Sequence, residues 1–425
     1  MKQSFTIAAL TGLALAGPSN TRFQPPAGKL GNDRAFMNYS SQFNKNFSTT
    51  QEFERRQQKY HANDQYIRET NAKADRKGGN ALRVRHNLFS DMDSEDYAKH
   101  LGLVQQEAAS KARSLPRHSN GGGRHGGGGL RGTVGIETAV NVDHFEDGYM
   151  YPVKNQGGCG SCWAFAANTA LEGTVAKKNN TTPVRYSEQQ LVDCTYTLNP
   201  DNEAQFGKDY KAYGCNGGWM SWAWDFQKDQ GIMLDSDYEY VSGNTGTEQN
   251  CRHDDTKTIG NVAGWGQITD SVDSIKAKLM EQPLTVALDA GSQAFQFYSS
   301  GVVKAEDNCG TSLNHAVVLV GYTDRGDNPD PNPDPNPDPS PDPDPTPDPD
   351  PEPEPQPEVC NVKKWWHSCG AQQSRRRLQA QNDNYWKVQN SWGEWWGDDG
   401  FILIEITDGY GVCGINSVID GSRWR

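Results

Sequence analysis

Between Pro329 and Glu358 every second residue is proline, alternating mostly with Asp, Asn and Glu. The segment holds 15 of the chain's 23 prolines and ten carboxylates. Proline lacks a backbone N–H and fixes φ, so neither a helix nor a central strand can run through it. Repulsion among the carboxylates stretches it toward a polyproline-II-like rod. Whatever core the 425 residues build must therefore close on either side of this tract. On one side lies Ala316-Val317-Val318-Leu319-Val320, on the other Tyr385-Trp386-Lys387-Val388. Both are rich in β-branched or aromatic residues, which favours strands. Residues 324–382 are thus expected to be inserted into the connection between two neighbouring strands. Loop-closure cost rises slowly with length, so the insertion is tolerable. It also carries Cys360, Trp365, Trp366, Cys369 and the basic Arg375-Arg376-Arg377. A solvated spacer is the simpler role; a rod holding this small loop toward a partner or an anionic surface is the other.

The formal net charge of −13 conceals two opposite parts. Residues 17–135 carry 19 Lys+Arg against 11 Asp+Glu, whereas residues 136–425 carry 21 against 43. An acidic chain lacks the basic face that phosphate recognition needs, so no nucleic-acid partner is expected. No apolar run reaches the roughly 18 residues of a membrane span. Lys2, an apolar stretch over 5–15 and the small residues Ala14-Leu15-Ala16 read as a secretory signal over 1–16. Secretion permits disulfides, and nine cysteines leave one over if the rest pair.

The sharpest local signal is Gln156-Gly157-Gly158-Cys159-Gly160-Ser161-Cys162-Trp163. Ala164, Ala167, Leu171 and Val175 follow at spacings of three and four, so Cys162 opens a helix. Unpaired N–H groups and the helix dipole favour an anion there, which predicts a lowered thiol pKa and a nucleophilic thiolate. A C-x-x-C pair by itself also suits zinc or a redox dithiol. A general base is needed too, and His315 follows Asn314 at the head of the apolar segment described above.

In these residues the chain resembles the papain-like cysteine peptidases of the cathepsin L type; the run around Cys162 is their nucleophile signature. The resemblance implies Cys162 as nucleophile and His315, 153 residues later, as general base. It implies Asn390, in Gln389-Asn390-Ser391-Trp392-Gly393, as the group that orients His315, with Trp392 packed over their bond. Gln156 and the Cys162 N–H would hold the oxyanion. Cys215-Asn216-Gly217-Gly218 resembles the substrate wall, where Gly217 and Gly218 let a peptide pair edge-on. By position the pocket for the residue two before the cut (P2) is lined by Trp219, Met220, Ala287, Asn314 and Val418. None is charged, so an apolar or aromatic P2 is expected. No metal or cofactor is implied. The eight remaining cysteines allow 105 pairings. The resemblance implies Cys159–Cys215, Cys194–Cys251 and Cys309–Cys413, which leaves Cys360 with Cys369.

Thr49 to Lys73 contains no Pro or Gly, so one long helix is expected. Glu52, Arg56, Tyr60, Asn63, Ile67 and Asn71 lie along one stripe of it. The stripe resembles the E-R-F-N-I-N pattern of cathepsin L-type propeptides, with Tyr60 for Phe. Asn87-x-Phe89-x-Asp91 resembles the companion motif, with Arg85 where Gly is commoner. The implied architecture is α+β: a two-lobed papain-like domain over 136–425, with a helical lobe and a β-barrel-like lobe, behind an inhibitory propeptide over 17–135. Opposite charges would bind propeptide to body, with acid or salt weakening the hold. The glycine runs at 121–123 and 126–129 read as an exposed, cleavable linker.

The function implied is a cysteine endopeptidase made as an acid-activated zymogen, monomeric, acting on peptides, and lysosomal, vacuolar or extracellular. No His-His occluding loop is present, which favours endopeptidase over carboxydipeptidase action. An inactive binding relative and a Cys-His acyltransferase are the rival classes. Asn38, Asn46, Asn179 and Asn180 stand in glycosylation sequons.

Overall fold

The computed structural model describes residues 33–104, 140–268, 271–324 and 383–424. The proposed signal, the glycine linker, the Pro/Asp tract and the Cys360–Cys369 pair lie outside the described residues.

The front part is built on two crossed helices, α1 (Arg34–Gln42) and α2 (Thr50–Lys77). The Thr49 hydroxyl caps α2 by accepting the Glu52 N–H at 3.1 Å, and Glu52 reaches back to the Ser48 N–H at 2.8 Å. The helix stops at Gly78, whose φ of 66° an L-residue rarely adopts. Its buried face includes Phe53, Tyr60, Asn63 and Ile67. Phe36, Tyr39 and Phe47 pack against Phe53 and Tyr60 in a small aromatic core. The Asn71 amide clasps Val84 through its N–H and C=O at 3.1 and 2.8 Å. That sets strand β1 (Arg83–Val84) and leads to a short helix, α3 (Ser94–Ala98).

The body has two lobes. One is helical, centred on α4 (Cys162–Asn179), with α5 (Glu188–Cys194), α6 (Pro200–Phe206) and α7 (Met220–Gln230). Helix α4 is buried on all sides from Cys162 to Thr174, which explains its all-round small and apolar composition.

The other lobe is a sheet in the order β3 (Val262–Ile268), β10 (Ile419–Trp424), β4 (Leu284–Leu288), β7 (His315–Asp324), β8 (Tyr385–Gln389), β9 (Phe401–Glu405), β6 (Val302–Val303). Strand β2 (Val140–Asp143) pairs with the far end of β7. The central strands β4 and β8 are buried at every position, and β7 from His315 to Tyr322, because both faces are covered. Each fully buried Val or Ile there contributes roughly 1.5–3 kcal/mol by leaving water.

Strands β7 and β8 are antiparallel neighbours, with Thr323 opposite Tyr385. The insertion therefore leaves and returns within one strand spacing. Strand β5 (Tyr298–Ser300) pairs with β1, so the front part and the body share a two-stranded sheet.

Among the described residues, three disulfides join Cys159–Cys215, Cys194–Cys251 and Cys309–Cys413, and Cys162 is a free thiol.

Candidate active site

The site forms where the N-terminus of α4 meets the start of β7. Cys162 is the first residue of α4, and its Sγ accepts the Ala316 N–H at 3.4 Å. His315 is the first residue of β7, and its Nε2 lies 2.8 Å from Asn390 Oδ1. The Ser391 N–H also donates to Asn390 Oδ1 at 2.8 Å, so that atom is the acceptor. The imidazole proton therefore sits on Nε2, leaving Nδ1 as the base. Among the described residues Nδ1 has no hydrogen-bond partner. The Trp392 ring covers the imidazole at 4.8 Å between centroids.

Gln156 is carried by a loop stitched to the Asn390 segment. Its N–H donates to Ser391 C=O at 2.8 Å, and Gly393 N–H donates to Lys154 C=O at 2.9 Å. The Ser391 hydroxyl donates to Gln156 Oε1 at 2.7 Å, which turns Nε2 toward the cleft. Behind the loop, buried Lys154 donates to both Glu172 and Glu188 at 2.6 Å. Asn314 is tied by its amide to Asp289 Oδ1 at 2.9 Å and to the Ala290 N–H at 2.8 Å. Asp289 also accepts from Ser312 N–H at 2.8 Å, which steadies the loop leading to His315. Trp219, Met220, Ala287 and Val418 lie fully buried in one apolar cluster.

The chain covers this site with its own residues 100–104. The His100 carbonyl accepts from Gln156 Nε2 at 3.0 Å. The Gly102 N–H donates to Cys162 Sγ at 3.2 Å. Gly102 C=O accepts the Gly218 N–H at 3.0 Å, and Leu103 N–H donates to Asn314 C=O at 3.2 Å. Leu103 enters the apolar cluster of Trp219, Met220, Ala287 and Val418.

Sequence reasoning missed Gly102, Leu103, Ser391 and Asp289. Ser391 could have been found beside Asn390; the others carry no local signal.

The cover reverses one expectation. Burial pushes the Cys162 thiol up to about 11, against the pull of four backbone N–H groups. Burial likewise pushes His315 down to about 4, outweighing the Asn390 bond. Both are neutral at pH 7 because water is excluded, and the helix dipole does not offset that loss.

A second expectation also changes. The described propeptide carries twelve basic against ten acidic side chains, so little of the positive excess lies in it. Among the described residues a single ion pair, Lys77–Glu306 at 2.6 Å, crosses to the body. The crossing contacts are mostly neutral: Asn87 to Gln296 C=O at 2.7 Å, Tyr97 to Ala290 C=O at 2.8 Å, and the β1–β5 pairing. Arg85 donates to Trp395 and Gly397 carbonyls at 3.3 and 2.9 Å.

Such a precursor, with its thiol cleft plugged by its own chain, defines the class of thiol hydrolase zymogens. The sequence profile of papain family cysteine proteases matches residues 138–330 and 369–421. That of the cathepsin propeptide inhibitor domain (I29) matches residues 36–97. The chain is 29% identical to human (Homo sapiens) cathepsin L2 over 342 residues, 80% of this chain and 77% of that protein. It is 31% identical to cysteine endopeptidase RepA of Oryza sativa subsp. japonica over 363 residues, 83% and 73% of the two. Its fold is similar to that of the digestive procathepsin L2 proteinase of Tenebrio molitor larval midgut, with a TM-score of 0.63 and 24% identity, covering 92% of this chain and 99% of that one. The chain therefore belongs to the papain family of cysteine proteases. It is a cathepsin L-like endopeptidase zymogen whose propeptide inhibitor domain is part of the same chain.

Proposed function

We propose that this endopeptidase works through Cys162, His315, Asn390 and Gln156, is released by acid in the secretory pathway, lysosome, vacuole or outside the cell, and prefers an apolar P2 residue. The observation that carries the reading is the occupied cleft. Residues 100–104 make hydrogen bonds that a peptide substrate would make, with the His100 carbonyl on the Gln156 amide.

Once the cover leaves, water returns. The thiol falls, the imidazole rises, and the proton moves from Cys162 to His315 Nδ1. The thiolate then adds to the peptide carbonyl carbon, and the carbonyl π pair moves onto oxygen. Gln156 Nε2 and the Cys162 N–H receive that charge. His315 gives its proton to the departing amine as the C–N bond breaks. Water then attacks the thioester, its proton passing through His315 to the thiol.

Acid release is supported by groups inside the propeptide rather than across its interface. Burial raises Asp33 and Asp96, but hydrogen bonds and cations outweigh it, so both pKa values are lowered. Their stabilisation is present above the ordinary carboxylate value of 3.8 and is lost as pH falls through the lowered values. An apolar P2 is supported by Leu103, the propeptide's own occupant of that cluster.

The test is an epoxide inhibitor of thiol peptidases applied to acid-treated wild type and Cys162→Ala, followed by peptide assays. Labelling and Phe-Arg or Leu-Arg cleavage are expected in wild type alone. An unlabelled wild type sinks the peptidase site, and faster Arg-Arg cleavage sinks the P2 preference.

A further inference from the structure

An oxyanion hole needs two donors at a fixed separation. Here one is on the Gln156 loop and the other at the head of α4. Gly157, Gly158 and Gly160 lie between them, intrinsically free residues anchored at Cys159 by its disulfide to Cys215. Something must hold the donors in register.

Tyr240 lies against both. Its Oη donates to the Gln156 carbonyl at 2.8 Å and lies 2.8 Å from Ser161 Oγ, next to Cys162. The directions follow from the proton count. A carbonyl only accepts, so the phenol's single proton goes to Gln156, and the Ser161 hydroxyl must donate to the phenol oxygen. The rival acceptor for Ser161, the Cys159 carbonyl, is farther, at 3.4 Å. Ser161 occupies the N-cap of α4 yet makes no capping bond to that helix. A serine there ordinarily caps; this one is spent on Tyr240. Burial pushes the Tyr240 pKa up, so the phenol keeps its proton at working pH.

The ring itself is fixed edge-on against Phe165 at 4.8 Å. Beside it opens a cavity of about 360 Å³ lined by Asn155, Gly157, Tyr240, Gly243 and Asn244 among others. On that side the Gln156 loop is held by the close approach of the Gly157 and Gly243 backbones, by the Gly158 N–H to Gly243 C=O bond at 2.8 Å, and by the Tyr240 hydroxyl.

We infer that Tyr240 is a positioning residue of the oxyanion hole, its hydroxyl coupling the Gln156 loop to the N-terminus of the Cys162 helix. The inference rests on the proposed roles of Cys162 and Gln156. Tyr240 touches neither substrate nor thiol.

Tyr240→Phe removes one oxygen and keeps the ring. In the full-length protein, processed by added wild-type enzyme, kcat should fall about tenfold with KM within about twofold. Two probes separate positioning from general damage. A peptide aldehyde forms a C–S bond to Cys162 and moves its carbonyl π pair onto an oxygen in the hole; its affinity should fall about tenfold. A dipyridyl disulfide takes the thiolate without using the hole; its rate should be unchanged. Ser161→Ala cuts the chain of bonds at its other end and should give the same split, smaller. Wild-type aldehyde affinity in Tyr240→Phe, or equal losses toward both probes, would overturn the inference. A wild type inert to both probes would overturn the Cys162 reading and this inference with it.

Discussion

At the scale of single residues, the inhibited state depends on one missing side chain. A Cβ on Gly102 would lie 2.0 Å from the Gly160 carbonyl oxygen, closer than any non-bonded contact permits. Gly160 is equally confined, with its own Cβ position 2.5 Å from the Cys215 carbonyl. Backbone meets backbone there, so no side-chain adjustment relieves the clash. Gly102→Ala should therefore lift residues 100–104 off the thiol. The unprocessed precursor at pH 7 should then react with the epoxide at least about tenfold faster than wild type, since burial no longer holds the thiol neutral. A precursor as unreactive as wild type would show that Gly102 is not the seat of the inhibition. Resemblance to the family's motifs singled out Cys162, His315, Asn390 and Gln156, and the structure brings them to one cleft mouth. The sequence offered no hint of Gly102, because a close backbone approach leaves no trace in local pattern.

At the scale of elements, β7 separates chemistry from insertion. His315 stands at one end of this ten-residue strand and Asp324 at the other. Ten residues of strand span about 30 Å. The insertion between β7 and β8 therefore starts at the opposite end of the sheet from the imidazole. Removing residues 328–380 and closing β7 to β8 with a short turn should leave kcat/KM within about twofold and the melting temperature nearly unchanged, because strand ends this close need little chain to join them. A tenfold loss of kcat/KM would give the insertion a part in catalysis or substrate binding. The two strands and their adjacency were legible because proline punctuates them and β-branched residues fill them. The long helix was legible too, from the absence of breakers. What each element packs against was not.

At the scale of the whole molecule, pH acts on a cover held mainly by neutral contacts. His100 joins the two. Its carbonyl occupies the Gln156 amide, and its Nδ1 lies 3.0 Å from the Gly157 carbonyl. Phe89 packs on its ring at 5.0 Å. Burial lowers the His100 pKa below its ordinary 6.5; the Gly157 carbonyl and Asp96 oppose the shift, and Lys45 and Lys99 assist it. A histidine held neutral stabilises the covered state above 6.5, and that stabilisation is lost as pH falls below it. His315 is buried neutral as well, and a charged His100 pushes its pKa further down. On the proposed acid release, His100 would contribute below its ordinary 6.5 and the propeptide carboxylates below their ordinary 3.8. His100→Gln keeps a donor for Gly157 but cannot take a proton. Its precursor should need a pH about half a unit to one unit lower for half-maximal processing, followed by gel over a pH series. An unshifted midpoint would leave the carboxylates as the pH-sensitive groups.

The sequence by itself pointed to the family, through motifs that resemble it, and to the two-part organisation, through composition; the candidate catalytic residues and the three cysteine pairs the structure joins came with that resemblance. The sequence also confined the Pro/Asp tract to a connection, because proline forbids the alternatives locally. Only the tertiary structure decided the state of the site. Whether a thiol at a helix end is an anion depends on how much water reaches it, and residues 100–104, more than fifty positions upstream, remove that water. Whether opposite charges join propeptide to body depends on which charges face each other, and six of the twelve Lys and Arg of the described propeptide pair within the propeptide itself. Burial and pairing are properties of what a fold brings together; burial reversed the lowered thiol pKa that local pattern suggested, and among the described residues pairing leaves one ion pair from propeptide to body.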